Sequence, residues 1–586
     1  MDRFFSSLAP ADWVIVLSYL AISLLIGGYF RKTAGRSMKD YFVSGRNLPW
    51  WALGTSMVAT TFAADTPLAI TGWIRTEGIW KNWFWWSYLV SHVFVVLVFA
   101  RLWRRARVIT DNELIELRYS GKPAAFLRGF KAFYFATLFN FIVMGWVIRA
   151  MAKILFVFFG VETTVAIVVS LLIAVIYTML GGLWGVVVTD MFQYAVAVIG
   201  TVVFALVVIY SPQIGGFEAF WNKTASLGSN LSFFATPGSG SPVSAGFFDS
   251  SFFVFLIYIT VIWWSSHNSD GGGYIIQRLS SAKNERHATL GMAWFTLNHY
   301  VIRLWPWVLI AVCSLLIFPD AKITGGDNEA IYVVMVNKFL GPGLKGLLFI
   351  TFLSAFMSTI TTQLNWGVSY VMNDLYRRFL KPRASERHYV LVSRLCTVLL
   401  SLMAGYAAFR ITNIGKAWVF LWAMSAGIGL VLVLRWFWWR VNAWSEIAAL
   451  AASLGTMLVV TLYTGLKGVE LTMKHQILVV PVSIVVWVAA TFITKPEPMG
   501  KLAAFYERIR PWGFWGPVRK LAAGAGPSSP FSRILINWAL GVVALTSAML
   551  GVGKVLLGRH TMGASLLILA LLAGALFVRN WRENLN

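Results

Sequence analysis

Ser56-Met57-Val58-Ala59-Thr60-Thr61-Phe62-Ala63-Ala64-Asp65-Thr66-Pro67-Leu68-Ala69-Ile70-Thr71-Gly72 lies in an apolar stretch long enough to cross a membrane, yet it carries a carboxylate and, two residues later, a proline. A charge at bilayer depth is costly, and proline removes a backbone donor where no water can replace it. Such a segment persists when its loosened carbonyls and its carboxylate face a polar cavity or a bound species. Interrupted helices build the ion and solute sites of secondary transporters in this way. The alternative is a kinked buried helix in which Asp65 pairs with a structural partner.

The surrounding chain has membrane character. Of its 586 residues 58% are hydrophobic and 12% charged, and the mean hydropathy is +0.70. Soluble domains carry about 25% charged residues. Windows of about 19 residues give apolar segments near 12–31, 50–74, 81–103, 130–158, 162–181, 185–210, 252–268, 289–317, 344–373, 388–409, 415–436, 442–464, 475–494, 534–556 and 561–579. The expectation is an all-α polytopic membrane protein of about 15 helices, embedded in a lipid bilayer. Residues 12–30 read as a retained first helix, because the stretch is too long for a signal h-region, lacks an A-x-A site and runs straight into Arg31 and Lys32. Cys313 and Cys396 both sit in apolar spans, so no disulfide framework is expected. The seven histidines have no metal-ligand spacing, and no nucleophile or carboxylate pair stands at catalytic spacing, which argues against a membrane enzyme.

A net charge of +25 resembles a nucleic-acid signature only until the charges are placed. About two-thirds of the 49 lysines and arginines fall on alternate loops: around Arg31–Arg46, Arg101–Lys131, Arg278–Arg286, Arg377–Arg394, Arg435–Arg440, Lys495–Arg533 and Arg579–Arg582. By the positive-inside rule those loops are cytoplasmic, which puts the N-terminus outside and the C-terminus inside a cell membrane, as expected for a bacterial inner membrane. The charge is therefore topological, and no nucleic-acid partner is expected. Trp83, Trp85, Trp86, Trp263, Trp264, Trp436, Trp438 and Trp439 read mostly as an interfacial belt.

A second polar face lies far along the chain, in Leu353-Ser354-Ala355-Phe356-Met357-Ser358-Thr359-Ile360-Thr361-Thr362-Gln363-Leu364-Asn365. On a helix the Ala355 carbonyl and the Ser358 and Thr359 hydroxyls share one face, and neutral oxygens of this kind replace the hydration shell of a small hard cation. Hydroxyls at this spacing also serve as hydrogen-bonding glue between helices.

These residues carry a family resemblance. Ala355-Phe356-Met357-Ser358-Thr359-Ile360, closed by Asn373-Asp374-Leu375-Tyr376, resembles the eighth core helix of the sodium/solute symporter family. Gly181-Gly182-Leu183-Trp184-Gly185-Val186-Val187-Val188-Thr189-Asp190 with Gln193 resembles that family's G-G-x-x-x-V-x-x-T-D-x-x-Q signature. Tyr41-Phe42-Val43-Ser44-Gly45-Arg46, Glu113-Leu114-Ile115-Glu116-Leu117-Arg118-Tyr119 and Tyr274-Ile275-Ile276-Gln277-Arg278 are similar to further members of the set, in family order.

The resemblance implies a five-plus-five inverted-repeat core of the LeuT-like kind, with one helix before it and about four after it. The division it implies is an extra helix and cytoplasmic loop at 1–47, repeat one at 48–210, an extracellular loop at 211–249, repeat two at 250–440, and peripheral helices at 441–586 with the basic loop 495–533. Helix breaks are then expected near residues 61–66 and 265–273. The second contains His267-Asn268-Ser269-Asp270-Gly271-Gly272-Gly273, a glycine-rich insertion that departs from the sugar-transporting members.

The resemblance further implies a sodium site made by the carbonyls of Ala59, Phe62 and Ala355 and the hydroxyls of Ser358 and Thr359. It places Asp190 on the cytoplasmic exit route. Asp65 has no counterpart in the family pattern and is expected along the ion pathway on its position alone. Arg149 and Arg303 lie too deep to snorkel, so each either binds an anionic or polar solute, with His299 one turn before Arg303, or neutralises Asp65, Asp190 or Asp270. Asn140, Trp263, Trp264, Asn298, Trp418 and Trp422 fall on helices that line the cavity in the family fold, where they either meet the solute or pack.

The function expected is sodium-coupled import of a small polar solute (sugar, amino acid or organic acid) by alternating access. Sodium is the coupling ion, and no cofactor is needed. Proton coupling and a symporter-like solute sensor are the alternatives.

Overall fold

The structure, a computed structural model, describes residues 8–34, 38–236, 246–522 and 530–585. Arg36 and part of the loop 495–533 lie outside the described residues. Among the described residues ten helices are long and apolar enough to cross a membrane, or up to eleven if a pair bent by 45°, Ile414–Ser425 and Gly429–Phe437, counts as one span. The other apolar stretches of the sequence form helices that are short or broken. Segments 162–181 and 185–210 run together in one helical stretch, Thr163–Ile209. The glycine pair between them removes no backbone donor, so the helix continues where a proline would have stopped it.

Burial ranks the helices. The apolar 18-residue stretch of the span Leu344–Leu380, the helix that carries Ser358 and Thr359, is 94% buried, whereas that of His560–Trp581 is 11% buried and presents leucines outward. The first forms the axis of the bundle, packed against Pro10–Ala34, Thr163–Ile209 and Asn140–Phe159. Where helices cross closely, small residues permit it. A Cβ on Gly54 would meet the Gly291 carbonyl oxygen at 2.5 Å, so helix Trp50–Thr61 lies directly on Glu285–Leu297.

Both expected breaks are present. Helix Trp50–Thr61 ends, Phe62 turns away at φ −92° and ψ 74°, and Asp65–Thr76 begins anew. Pro67 falls in the first turn of the new helix, where its missing N–H has no intrahelical acceptor to lose. The second interruption follows Trp263–Ser265 and ends at Gly273–Ser281. Gly271 and Gly272, at φ +124° and +69°, carry the chain through backbone geometry that residues with a Cβ avoid.

The tryptophan belt needs correction. Trp83, Trp85, Trp86 and Trp436 are buried. Trp83 donates to the Phe233 carbonyl (2.7 Å) and Trp436 to Asp270 (3.1 Å), so polar partners inside the fold draw their N–H groups inward. The C-terminal loop docks on the bundle: Phe514 N–H bonds Phe437 O at 2.6 Å and Trp515 Nε1 bonds Trp436 O at 2.9 Å.

Candidate functional site

Two cavities flank the first break. The smaller is lined by Ala59, Phe62, Gln193, Tyr194, Ala197, Ser354, Ala355 and Ser358. The break frees the last carbonyls of Trp50–Thr61 from their intrahelical donors. The Phe62 N–H still bonds Val58 O and Ala59 O (3.0 Å each), Arg303 Nη1 adds a bond to Val58 O (3.0 Å), and Thr359 Oγ1 donates to Thr60 O (2.8 Å). Four of the five residues expected at sodium thus meet around one small space. Thr359 lies instead on the wall of the larger cavity.

Behind Ser358 stands Asp190, fully buried. Its Oδ1 accepts from Ser358 Oγ (2.7 Å) and its Oδ2 from Ser56 Oγ (2.5 Å), with Arg278 Nη2 at 3.7 Å from Oδ2. Arg278 also donates to Thr362 Oγ1 (2.6 Å) and Ser56 Oγ (3.3 Å). Because the Ser358 proton is given to Asp190, the lone pairs of its oxygen are left for a cation. A second layer of hydrogen bonding orients ligands in this manner. Arg278 reads from the sequence as part of a motif and as one of the basic loop charges, but the structure buries it in helix Gly273–Ser281. Its pairing with a residue on another helix has no local signal.

The larger, central cavity holds about 250 Å³. Its walls include Thr60, Thr61, Asp65, Trp85, Tyr88, Phe139, Trp146, His267, Tyr274, His299, Arg303, Thr359, Gln363, Trp418 and Trp422. Asp65, expected along the ion route, faces this space and not the smaller one, because it begins the helix beyond the break. Trp418 Nε1 donates to Asp65 Oδ2 (3.0 Å). Arg303 donates from Nη2 to His299 Nδ1 (2.6 Å), which lies 3.1 Å from Thr61 Oγ1. Of the residues expected at the solute, His299, Arg303, Trp418 and Trp422 come together here.

The other five lie elsewhere. Trp263 packs on Trp538 of the C-terminal helix Phe531–Leu556, with ring centroids 5.9 Å apart, and Trp264 donates to Thr260 O (2.7 Å). A π-helical turn at Tyr258–Ile262 precedes them, and its extra residue rotates their faces off the helical spacing assumed from sequence. His267, just past the helix end, takes the cavity position. Asn140 donates to Gln363 O (2.9 Å), and Asn298 accepts from Tyr194 (2.9 Å), so both amides bind neighbouring helices. Arg149 lies on Asn140–Phe159 and does not line the cavity. Tyr88, His267, Tyr274 and Gln363 were not anticipated at the site. The glycine-rich break beside His267 and Tyr274 was their only sequence signal.

The chain matches the sodium:solute symporter family over residues 41–455. The sodium/glucose cotransporter of Vibrio parahaemolyticus is 23% identical over 488 residues, covering 78% of this chain and 86% of that protein. Human sodium/myo-inositol cotransporter 2 is 25% identical, with 74% of this chain and 67% of that protein covered. Among solved structures, a Na+-coupled sialic acid symporter in a substrate-bound outward-open state superposes with a TM-score of 0.67 at 20% identity, over 84% of this chain and 99% of that one. It supports a shared fold.

Proposed function

Since the chain belongs to the sodium:solute symporter family, and is thus a multi-pass membrane transporter and not an enzyme, we propose that it imports a small polar solute by alternating access, with sodium bound beside the first helix break. Its ligands are the carbonyls of Ala59, Phe62 and Ala355 and the hydroxyl of Ser358; Thr359, on the wall of the larger cavity, fixes the end of the broken helix through Thr60 O. The observation that carries this assignment is the meeting of Ala59 and Phe62 with Ala355 and Ser358 around one small cavity. Neutral oxygens at a helix C-terminal end suit a monovalent cation: the helix dipole favours positive charge there, and weak neutral ligation lets the ion leave.

Sodium from outside orders the break and stabilises the outward-open state, and the solute then binds in the adjoining central cavity. Exchange of gates exposes both to the low-sodium cytoplasm. Coupling requires only that both ligands favour the same conformations, a reciprocal free-energy linkage. In this reading the basic loops face the cytoplasm, the N-terminus lies outside, and Arg278 and Asp190 stand on the cytoplasmic side of the ion. The inverted repeats occupy 48–210 and 250–440.

Thermal unfolding of the purified chain in sodium against potassium, at two pH values, tests the ion. Wild type is expected to be stabilised by sodium at both pH values, and Ser358→Ala to need at least about tenfold more sodium for the same shift. An unchanged sodium response in Ser358→Ala and Thr359→Ala overturns the site. Stabilisation by acid in place of sodium turns the assignment to proton coupling.

A further inference from the structure

Two ionisable side chains on the wall of the central cavity, Asp65 and Arg303, have no ion-pair partner among the described residues. Buried carboxylates elsewhere in the bundle are matched: Asp190 by Arg278, Asp270 by Arg435 (2.7 Å), Asp374 by Arg128 (2.7 Å), Glu329 by Lys153 (2.5 Å), and Glu446 by Arg435 and Lys131. Asp12 caps the Gly343 and Gly346 amides (2.7 Å each), and Glu497 takes the Ser120 amide (2.9 Å). Asp65, 1% exposed, has one indole N–H on Oδ2, and its Oδ1 is without a donor among the described residues. Among the fully occluded side-chain atoms of the described residues, no other carboxylate oxygen lacks a partner.

Arg303 mirrors it. Other fully buried arginines have their charge met, although Arg435 too leaves Nε unpartnered: Arg278 and Arg435 face aspartates, and Arg118 gives its guanidinium to the carbonyls of Arg435, Val441 and Trp438 at 2.6–2.8 Å. Arg303, 2% exposed, holds one carbonyl and one imidazole nitrogen, lies over the rings of Phe62 and Trp307, and leaves Nε unpartnered. No carboxylate pairs with it among the described residues. An unpaired buried charge is expensive, and the expense persists in a native fold where a ligand completes the pair.

Asp65 and Arg303 line the same cavity. We propose that the transported solute is a small zwitterion whose ammonium group binds Asp65 and whose carboxylate binds Arg303, an assignment that rests on the symport function above. A monoanion would satisfy Arg303 while meeting an uncompensated Asp65, and a simple amine would do the reverse. A sugar offers only neutral hydroxyls to both.

The test uses the full chain in proteoliposomes under an inward sodium gradient, with radiolabelled glycine, L-alanine, L-proline, β-alanine and γ-aminobutyrate as probes. Propionate and propylamine, each carrying one charge of β-alanine, serve as competitors, and D-glucose as a neutral probe. Sodium-driven uptake of at least one zwitterion is expected, with both single-charge competitors at least about tenfold weaker, because each strands a buried charge. In Asp65→Asn competition is expected to swing towards propionate, and in Arg303→Gln towards propylamine. Uptake of D-glucose with none of the zwitterions, single-charge competitors as effective as the zwitterion, or unchanged zwitterion uptake in Asp65→Asn overturns the proposal. Should either variant fail to fold, the wild-type competition series decides alone. Failure of the symport function looks different: wild type then shows no sodium stabilisation, and zwitterion binding is read as thermal stabilisation in potassium.

Discussion

Asp190 and Asp65 are both buried carboxylates beside the same broken helix, yet their surroundings are opposite. Asp190 has hydroxyl donors on both oxygens and an arginine at 3.7 Å. Asp65 has one side-chain donor, an indole, and an oxygen with no side-chain partner. A carboxylate that is fully met holds helices together and orients what lies in front of it, here the Ser358 hydroxyl. One that is half met is held ready for something that arrives. Pairing, more than burial, separates structure from function at these two sites.

The comparison breaks most sharply at Asp190. In Asp190→Asn the buried Arg278 loses its counter-charge, which should cost about 3–5 kcal/mol and lower the unfolding temperature in detergent more than any other variant named here. Asp190→Asn combined with Arg278→Gln should recover part of the loss, since no charge is then stranded. If the single variant melts with wild type, the pairing is not structural.

Asp65→Asn should move stability the other way. It removes a buried carboxylate that has no ion-pair partner among the described residues, so the ligand-free chain is expected to hold or gain up to about 2 kcal/mol, while zwitterion transport falls at least about tenfold. Thermal unfolding and uptake measured on the same preparation check both halves. A destabilised Asp65→Asn would mean that the fold already satisfies this carboxylate, and the contrast with Asp190 would dissolve.

How far the sequence reached follows the range of the forces involved. The two breaks were legible because their causes are local: Pro67 with Asp65, and the glycines 271–273, act on their own backbone. The grouping of Ala59, Phe62, Ala355 and Ser358 came from motifs in family order. The Asp190–Arg278 pair and the seat of Asp65 against Trp418 depend on contacts spanning 88 and 353 residues, to which no periodicity responds. Trp263 and Trp264 failed for a subtler reason. The π-helical turn at Tyr258–Ile262 shifts every later face, and such turns carry no compositional mark. Trp263 is moreover covered by Trp538, which lies beyond the family match at 455.

The smallest effect gives the finest discrimination, because one bond type occurs in both settings. Trp418 Nε1 donates to Asp65 at 3.0 Å, and Trp436 Nε1 donates to Asp270 at 3.1 Å. Each indole can be changed to phenylalanine, which keeps an aromatic ring but deletes the donor. Asp270 retains Arg435 at 2.7 Å, so Trp436→Phe should cost about 1 kcal/mol of stability and leave solute affinity alone. Asp65 retains no donor side chain, so its carboxylate is then fixed only by packing. Trp418→Phe should therefore weaken zwitterion binding about five- to tenfold, through a bond to the carboxylate and not through direct contact with the substrate charge. Titration of zwitterion-induced thermal stabilisation in the two variants reads the difference. Equal affinities would show that the indole at the cavity merely packs, as its counterpart at Asp270 does.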